Sequence, residues 1–299
     1  MSVSTLIYAE RRPTTLSRLR DYVELTRPRI SAMVLVTVTV GAIAAGWSFP
    51  PPLLLLQALA ATALVASSAG AVNQWLERAS DARMTRTESR PLPSGRMSAA
   101  EALLFAALTG IGGVAWLAAV AGTLTAGLGL LTWLLYVGAY TPLKSRSSAN
   151  TAVGAVAGAL PILMGWTAVG GPLNLDAAAL FGIVYLWQFP HFMAIAWLYR
   201  EEYAAAGLQM LTVVDPSGRR AGRQAVVAAA ALLAVSVLPA MSHGDKLYLL
   251  GALALGMGQI VVAVAFSRHL DERSARHLLR ASLVYLPAVL GLLTVGRLL

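Results

Sequence analysis

Asn73, Glu77 and Asp81 follow one another at four-residue steps in the run Asn73-Gln-Trp-Leu-Glu77-Arg-Ala-Ser-Asp81, where a long apolar segment gives way to basic sequence. On a helix each such step turns the side chain by about 40°, so the three oxygen-bearing groups share one face over roughly 12 Å. Arg83, Arg86 and Arg90 come next, and Lys144 and Arg146 follow a later apolar segment. Carboxylate and amide oxygens suit magnesium, which takes one or two carboxylates, keeps several waters and completes its shell with phosphate oxygens. The cationic side chains suit the phosphates themselves, arginine by bidentate contact. Together these groups could hold a magnesium diphosphate at a membrane boundary. The competing reading is a polar helix end, with Asp81 paired to Arg78 and the arginines serving only topology.

A second polar cluster, Tyr199-Arg200-Glu201-Glu202-Tyr203, offers Glu202 as a further metal ligand. Eleven residues before it stands His191, the only histidine of four placed inside an apolar stretch. An ionisable group at such a position raises a functional hypothesis. On an unbroken helix His191 and Glu202 share a face about 16 Å apart, although Pro190 is a candidate kink. Trp75, Tyr140, Trp166, Trp187 and Tyr199 are aromatic candidates for lining a cavity, and such rings stabilise a cation. Gly154-Ala-Val-Ala-Gly158 is a small-xxx-small pattern that permits close helix packing.

These groups must be positioned by helices. Of the 299 residues 57% are hydrophobic and only 12% charged, with a mean hydropathy of +0.67, which makes an all-α integral membrane protein the expected class. The net charge of +9 is distributed between apolar stretches rather than along one soluble face, which argues against a nucleic-acid partner. The absence of cysteine excludes disulfides, thiolate metal sites and a cysteine nucleophile. No apolar core with a small-residue cleavage site opens the chain, and Glu10, Asp21 and Glu24 argue against a transit sequence.

Spans of roughly 20 residues are expected near 30–48, 53–76, 99–121, 124–141, 150–170, 177–199, 222–241, 246–267 and 279–298. Alternate connections (the N-terminal tail, 77–98, 142–148, 200–223 and 268–280) hold 21 of the 23 Lys and Arg residues. The positive-inside rule therefore places the N-terminus in the cytoplasm and the C-terminus outside. Residues 1–29 read as a cytoplasmic tail and 30–299 as one membrane domain of two four-helix halves plus a ninth helix. Glu77 ends the second span and Glu202 the sixth, an offset that suits a repeat about an axis along the membrane normal.

Glu24-Leu-Thr-Arg-Pro28-Arg, Asn73 with Asp81-Ala-Arg-Met-Thr-Arg86-Thr-Glu-Ser-Arg90-Pro-Leu, Tyr140-Thr-Pro-Leu-Lys144 and Trp187-Gln-Phe-Pro-His191-Phe resemble the protoheme IX farnesyltransferases, or heme O synthases. These form part of the UbiA superfamily of intramembrane prenyltransferases. The resemblance covers about residues 20–225 in order, and the Trp187–Phe192 and Met210–Pro216 stretches are its narrowest marks. It implies nine helices around a central cavity, and magnesium as cofactor on Asn73, Glu77, Asp81 and Glu202. Farnesyl diphosphate is then gripped by Arg83, Arg86, Arg90, Lys144 and Arg146, with Tyr140 and Tyr199 beside it. Heme B is the acceptor, and His191 is the candidate for holding it, either through iron or through a polar contact. It also implies the bacterial inner membrane (mitochondrial inner membrane if eukaryotic), and a heme A synthase or haem–copper oxidase as partner. The sequence departs from the family in using glutamate at 77 and 202 where aspartate is usual. Prenyl transfer to a quinone precursor or other aromatic acceptor is the nearest alternative, and anion transport or a purely structural role the more distant ones.

Overall fold

The computed structural model describes residues 14–46, 49–243 and 245–298; Glu10 and the two arginines at 11 and 12, which entered the expectations above, lie outside them. Every regular element among these residues is helical. The order is α1 (Thr15–Leu25), α2 (Pro28–Gly46), α3 (Pro52–Asp81), α4 (Ala99–Trp133), a π-helical segment (Leu134–Tyr140), α5 (Thr141–Leu143), α6 (Asn150–Ala168), α7 (Leu175–Leu198), α8 (Arg200–Ala205), α9 (Leu211–Val214), α10 (Arg219–Ser236), α11 (Leu238–His243), α12 (Lys246–His269) and α13 (Glu272–Leu298).

The starts follow local chemistry. Thr14, Ser98, Asn174 and Asp245 each accept a first-turn N–H through the side chain, while Pro28 and Pro52 open helices where no amide donor is needed. α12 stops at Leu270, whose φ of 48° turns the chain out of the helix.

Eight helical stretches are long and apolar enough to cross a membrane, and one of them runs 45 residues from Ala99 to Leu143. A straight helix of that length reaches about 68 Å, more than twice the roughly 30 Å of a hydrocarbon core. Gly122 resolves the excess: its φ of 85° and ψ of 166° break the helix. A Cβ on Gly129 would lie 3.0 Å from the Leu117 side chain, and contact between residues twelve apart requires the chain to double back. Divided at Gly122, the described residues contain nine membrane-length segments, so the third and fourth expected spans are two arms of a hairpin.

α2, α3 and the two arms of α4 pack as one set, and α7, α10, α12 and α13 as another. α6 lies between, touching α2, α4 and α7 and buried nearly all round, while α13 meets α2 to close the ring. The outside is apolar: Ile111 is 74% exposed and Leu108 66%, which suits a surface facing lipid. The tightest helix contact is one the Gly154–Gly158 pattern does not announce. Gly41 faces the backbone of Ile162 and Gly165 that of Val38, so α2 and α6 meet main chain to main chain. Gly154 and Gly158 instead receive side chains, the Tyr140 ring and the Gln188 amide.

Candidate active site

A cavity of ≈ 610 Å³ lies inside the ring of helices. That volume is within the usual range for small-molecule sites. Its apolar wall includes Val34, Val65, Ala66, Met164 and Phe192, and its charged end carries Arg27, Arg29, Glu77, Asp81, Arg86, Arg90 and Lys144. Five cations against two carboxylates leave an excess of three positive charges at that end.

α3 supplies the acids. Glu77 Oε1 accepts from Lys144 Nζ at 2.6 Å, and Oε2 from Arg27 Nη2 at 3.4 Å. One turn on, Asp81 Oδ2 accepts from Arg90 Nη1 at 2.7 Å. Arg78 is not its partner; that guanidinium lies over the Trp75 ring and donates to the Trp75 carbonyl. Asn73 does not line the cavity: the accumulated rotation of two helical turns carries it toward the neighbouring helix, where Nδ2 donates to Thr141 Oγ1 at 2.7 Å. Its Oδ1 is buried without a partner among the described residues.

Lys144 and Tyr140 come from the stretch after the hairpin. Pro142 supplies no amide hydrogen, and the preceding turn widens into the π-helix Leu134–Tyr140, with Thr141 N–H bonded five residues back to Tyr136 O. Tyr136 and Tyr140 therefore face the cavity with ring centroids 5.5 Å apart, and Lys144 lies 4.5 Å over the Tyr140 ring. Burial works against the charge on Lys144, but Glu77, Tyr140 and Tyr136 together hold the ammonium's pKa above its ordinary value. Arg90 is shifted the other way, by burial and by the nearby Arg27.

Arg27 is a site residue that motif spacing did not single out. It links α1 to α2 at a φ of 52°, unusual for a side-chain-bearing residue, and its Nη1 donates to Tyr136 OH at 3.2 Å. α1 is held in place by Gln74 Nε2, which donates to the carbonyls of Glu24 and Leu25, and by Arg96, which pairs with Asp21 and Glu24. A signal was present, because Arg27 stands in the Glu24–Arg29 stretch that carries part of the resemblance noted above.

The second cluster is arranged differently from the sequence expectation. α7 runs through Pro190 without a break but ends at Leu198, and Glu202 belongs to the separate α8. The continuous face joining His191 to Glu202 therefore does not exist. Glu202 does not line the cavity, although its Oε2 is buried without a partner among the described residues. Tyr203 lines the cavity, while Tyr199 lies outside it and carries the Arg86 guanidinium 5.4 Å above its ring. Arg83 and Arg146 are exposed and outside the cavity, so of the five expected diphosphate cations Arg86, Arg90 and Lys144 meet there. Trp187 and His191 line the cavity, whereas Trp75 and Trp166 pack elsewhere. Gln188 joins them, its Nε2 donating to the Ala155 and Val184 carbonyls.

Among the described residues no three His, Cys, Asp or Glu side chains gather as a self-sufficient metal site. Magnesium does not require one, because substrate phosphates complete its shell. Glu77 and Asp81 on the cavity wall, with the unpartnered Asn73 oxygen one turn away, fit that kind of ligand set.

Residues 34–285 match the UbiA prenyltransferase family. A protoheme IX farnesyltransferase of Solibacter usitatus is 43% identical over 291 residues, covering 93% of this chain and 99% of that one. In structure the chain is similar to digeranylgeranylglyceryl phosphate synthase, with a TM-score of 0.81 at 17% identity over 94% of this chain and 99% of the other. It is also similar to a UbiA homolog from Archaeoglobus fulgidus bound to DMAPP and Mg2+, with a TM-score of 0.68 at 16% identity over 92% and 99%.

Proposed function

The chain belongs to the UbiA prenyltransferase family, in its protoheme IX farnesyltransferase branch, and on that premise we propose that the cavity joins farnesyl diphosphate to heme B. The observation that carries the reading is the polarity of the cavity, cationic at one end and apolar beyond. A diphosphate bearing a long hydrocarbon chain has the same division.

In the reaction the C1–O bond of farnesyl diphosphate breaks with its electron pair leaving on the diphosphate. Lys144, Arg27, Arg86 and Arg90 line the cavity and would stabilise that charge as it forms. Glu77 and Asp81, with Asn73, would hold magnesium, which supplies further neutralisation of the diphosphate oxygens. Tyr136 and Tyr140 line the cavity, and aromatic rings there would stabilise positive charge near C1. The apolar wall keeps water from C1, so the terminal vinyl carbon of heme B forms the new C–C bond. Positive charge then rests on the vinyl carbon beside the porphyrin, where a water oxygen adds and releases a proton. The products are heme O and diphosphate. His191, on the cavity wall, holds the haem acceptor. A heme O-oxidising enzyme and a haem–copper oxidase are the consumers this product implies.

The test is to incubate the purified protein with heme B, farnesyl diphosphate and magnesium, and to weigh the extracted haems by mass spectrometry. A haem gaining one farnesyl group and one hydroxyl group is expected, and chelating the magnesium abolishes it. The Asp81→Ala variant is expected to lose turnover while remaining folded; normal turnover in it removes the metal site from this position. Unmodified haem from protein that binds farnesyl diphosphate sends the reading to another aromatic acceptor.

A further inference from the structure

We infer that Ser282 fixes the tautomer of His191, leaving the Nε2 lone pair toward the cavity as the atom that meets the haem iron of the acceptor. The inference rests on the reading of the cavity as a haem prenyltransferase site, and it assigns a positioning residue to it.

Ser282 is fully buried on α13, 91 residues from His191 along the chain. Its Oγ lies 2.7 Å from the Leu279 carbonyl oxygen, one turn back, and 2.9 Å from His191 Nδ1. A serine hydroxyl has one proton to give and lone pairs to accept with. The carbonyl oxygen can only accept, so the proton goes to Leu279 and Oγ accepts from Nδ1–H. Were the hydroxyl turned toward Nδ1 instead, Oγ and the Leu279 oxygen would face each other at 2.7 Å with no proton between them. The neutral imidazole therefore carries its hydrogen on Nδ1 and its free lone pair on Nε2. Nε2 makes no hydrogen bond among the described residues, and the side chain lines the cavity.

The same serine also fixes the ring plane. Its backbone carbonyl accepts from Trp187 Nε1 at 2.6 Å, and the Trp187 ring stacks on His191 with centroids 4.9 Å apart and planes 23° apart. One residue of α13 thus orients both members of the α7 pair. Donation from one imidazole nitrogen to an oxygen is what strengthens the other as a metal ligand.

The test compares Ser282→Thr with Ser282→Val, side chains of one shape that differ in the hydroxyl. Heme B is titrated into each and followed by visible absorption, and farnesyl diphosphate binding is measured as the control for folding. Valine is expected to bind haem about 10- to 100-fold more weakly than threonine, with an altered Soret band and equal farnesyl diphosphate binding. Equal haem affinity and spectra in the two variants overturn the inference. Should both residues overpack the site, seen as loss of farnesyl diphosphate binding, Ser282→Ala against the unaltered protein reads the same difference. His191→Ala separates the two levels. If it leaves the haem spectrum and affinity unchanged, His191 does not meet haem, and the assigned role and this inference fall together. If it removes the signature while threonine and valine agree, only the role of Ser282 falls.

Discussion

Lys144 holds the charge balance at the cationic end of the cavity. It bonds to Glu77, lies over Tyr140 and lines the space where a diphosphate is expected. Lys144→Ala is expected to lower turnover by about 10²- to 10³-fold, as loss of one preorganised donor to a developing anion does; unchanged turnover would move the diphosphate elsewhere. The ammonium's pKa is raised from an ordinary 10.5, chiefly by Glu77 acting against burial. A group raised on folding contributes its full stability below its unfolded pKa and loses it only as pH passes the folded value. The melting-temperature difference between the protein and Lys144→Ala is thus expected to stay constant from about pH 7 to about pH 10. A difference that shrinks within that window contradicts the buried ion pair.

Among the elements, the hairpin at Gly122 decides whether the π-helical segment and Lys144 can reach the site. Its combination of φ 85° and ψ 166° is open essentially to glycine alone. Gly122→Ala is expected to destabilise by about 1–3 kcal/mol. Gly127→Ala, where an added Cβ has open space, is expected to stabilise the helix by about 0.5–1 kcal/mol. Thermal unfolding in detergent reads both, and equal effects would mean that Gly122 does not make the turn. The expected spans 99–121 and 124–141 bracket this break. Hydropathy does not record the backbone conformation at Gly122 that makes the reversal.

For the whole molecule, the charge asymmetry of the connections supports the proposal that the diphosphate end of the cavity faces the cytoplasm, with the N-terminus inside and the C-terminus outside. The chain has no cysteine, so single cysteines report orientation without background. In right-side-out spheroplasts, a membrane-impermeant thiol reagent is expected to label Leu173→Cys and to reach Ser94→Cys only after the membrane is opened. The reverse pattern would invert the topology and put the cationic end of the cavity outside.

The sequence by itself determined the class, the nine apolar segments and the α3 carboxylates, because hydrophobicity, charge and helical spacing are local properties. Local spacing could not say which neighbours those groups would meet. Asn73 shares a helix with Glu77 and Asp81, yet two turns of rotation put it against Thr141. Glu202 follows α7, yet the helix ends at Leu198 before reaching it. Arg27 enters the site through a left-handed link, and Ser282 reaches His191 from another helix. Gly41 and Gly165 matter because two backbones meet there. Each of these depends on the rotation of one helix against another, which only packing across long stretches of chain fixes.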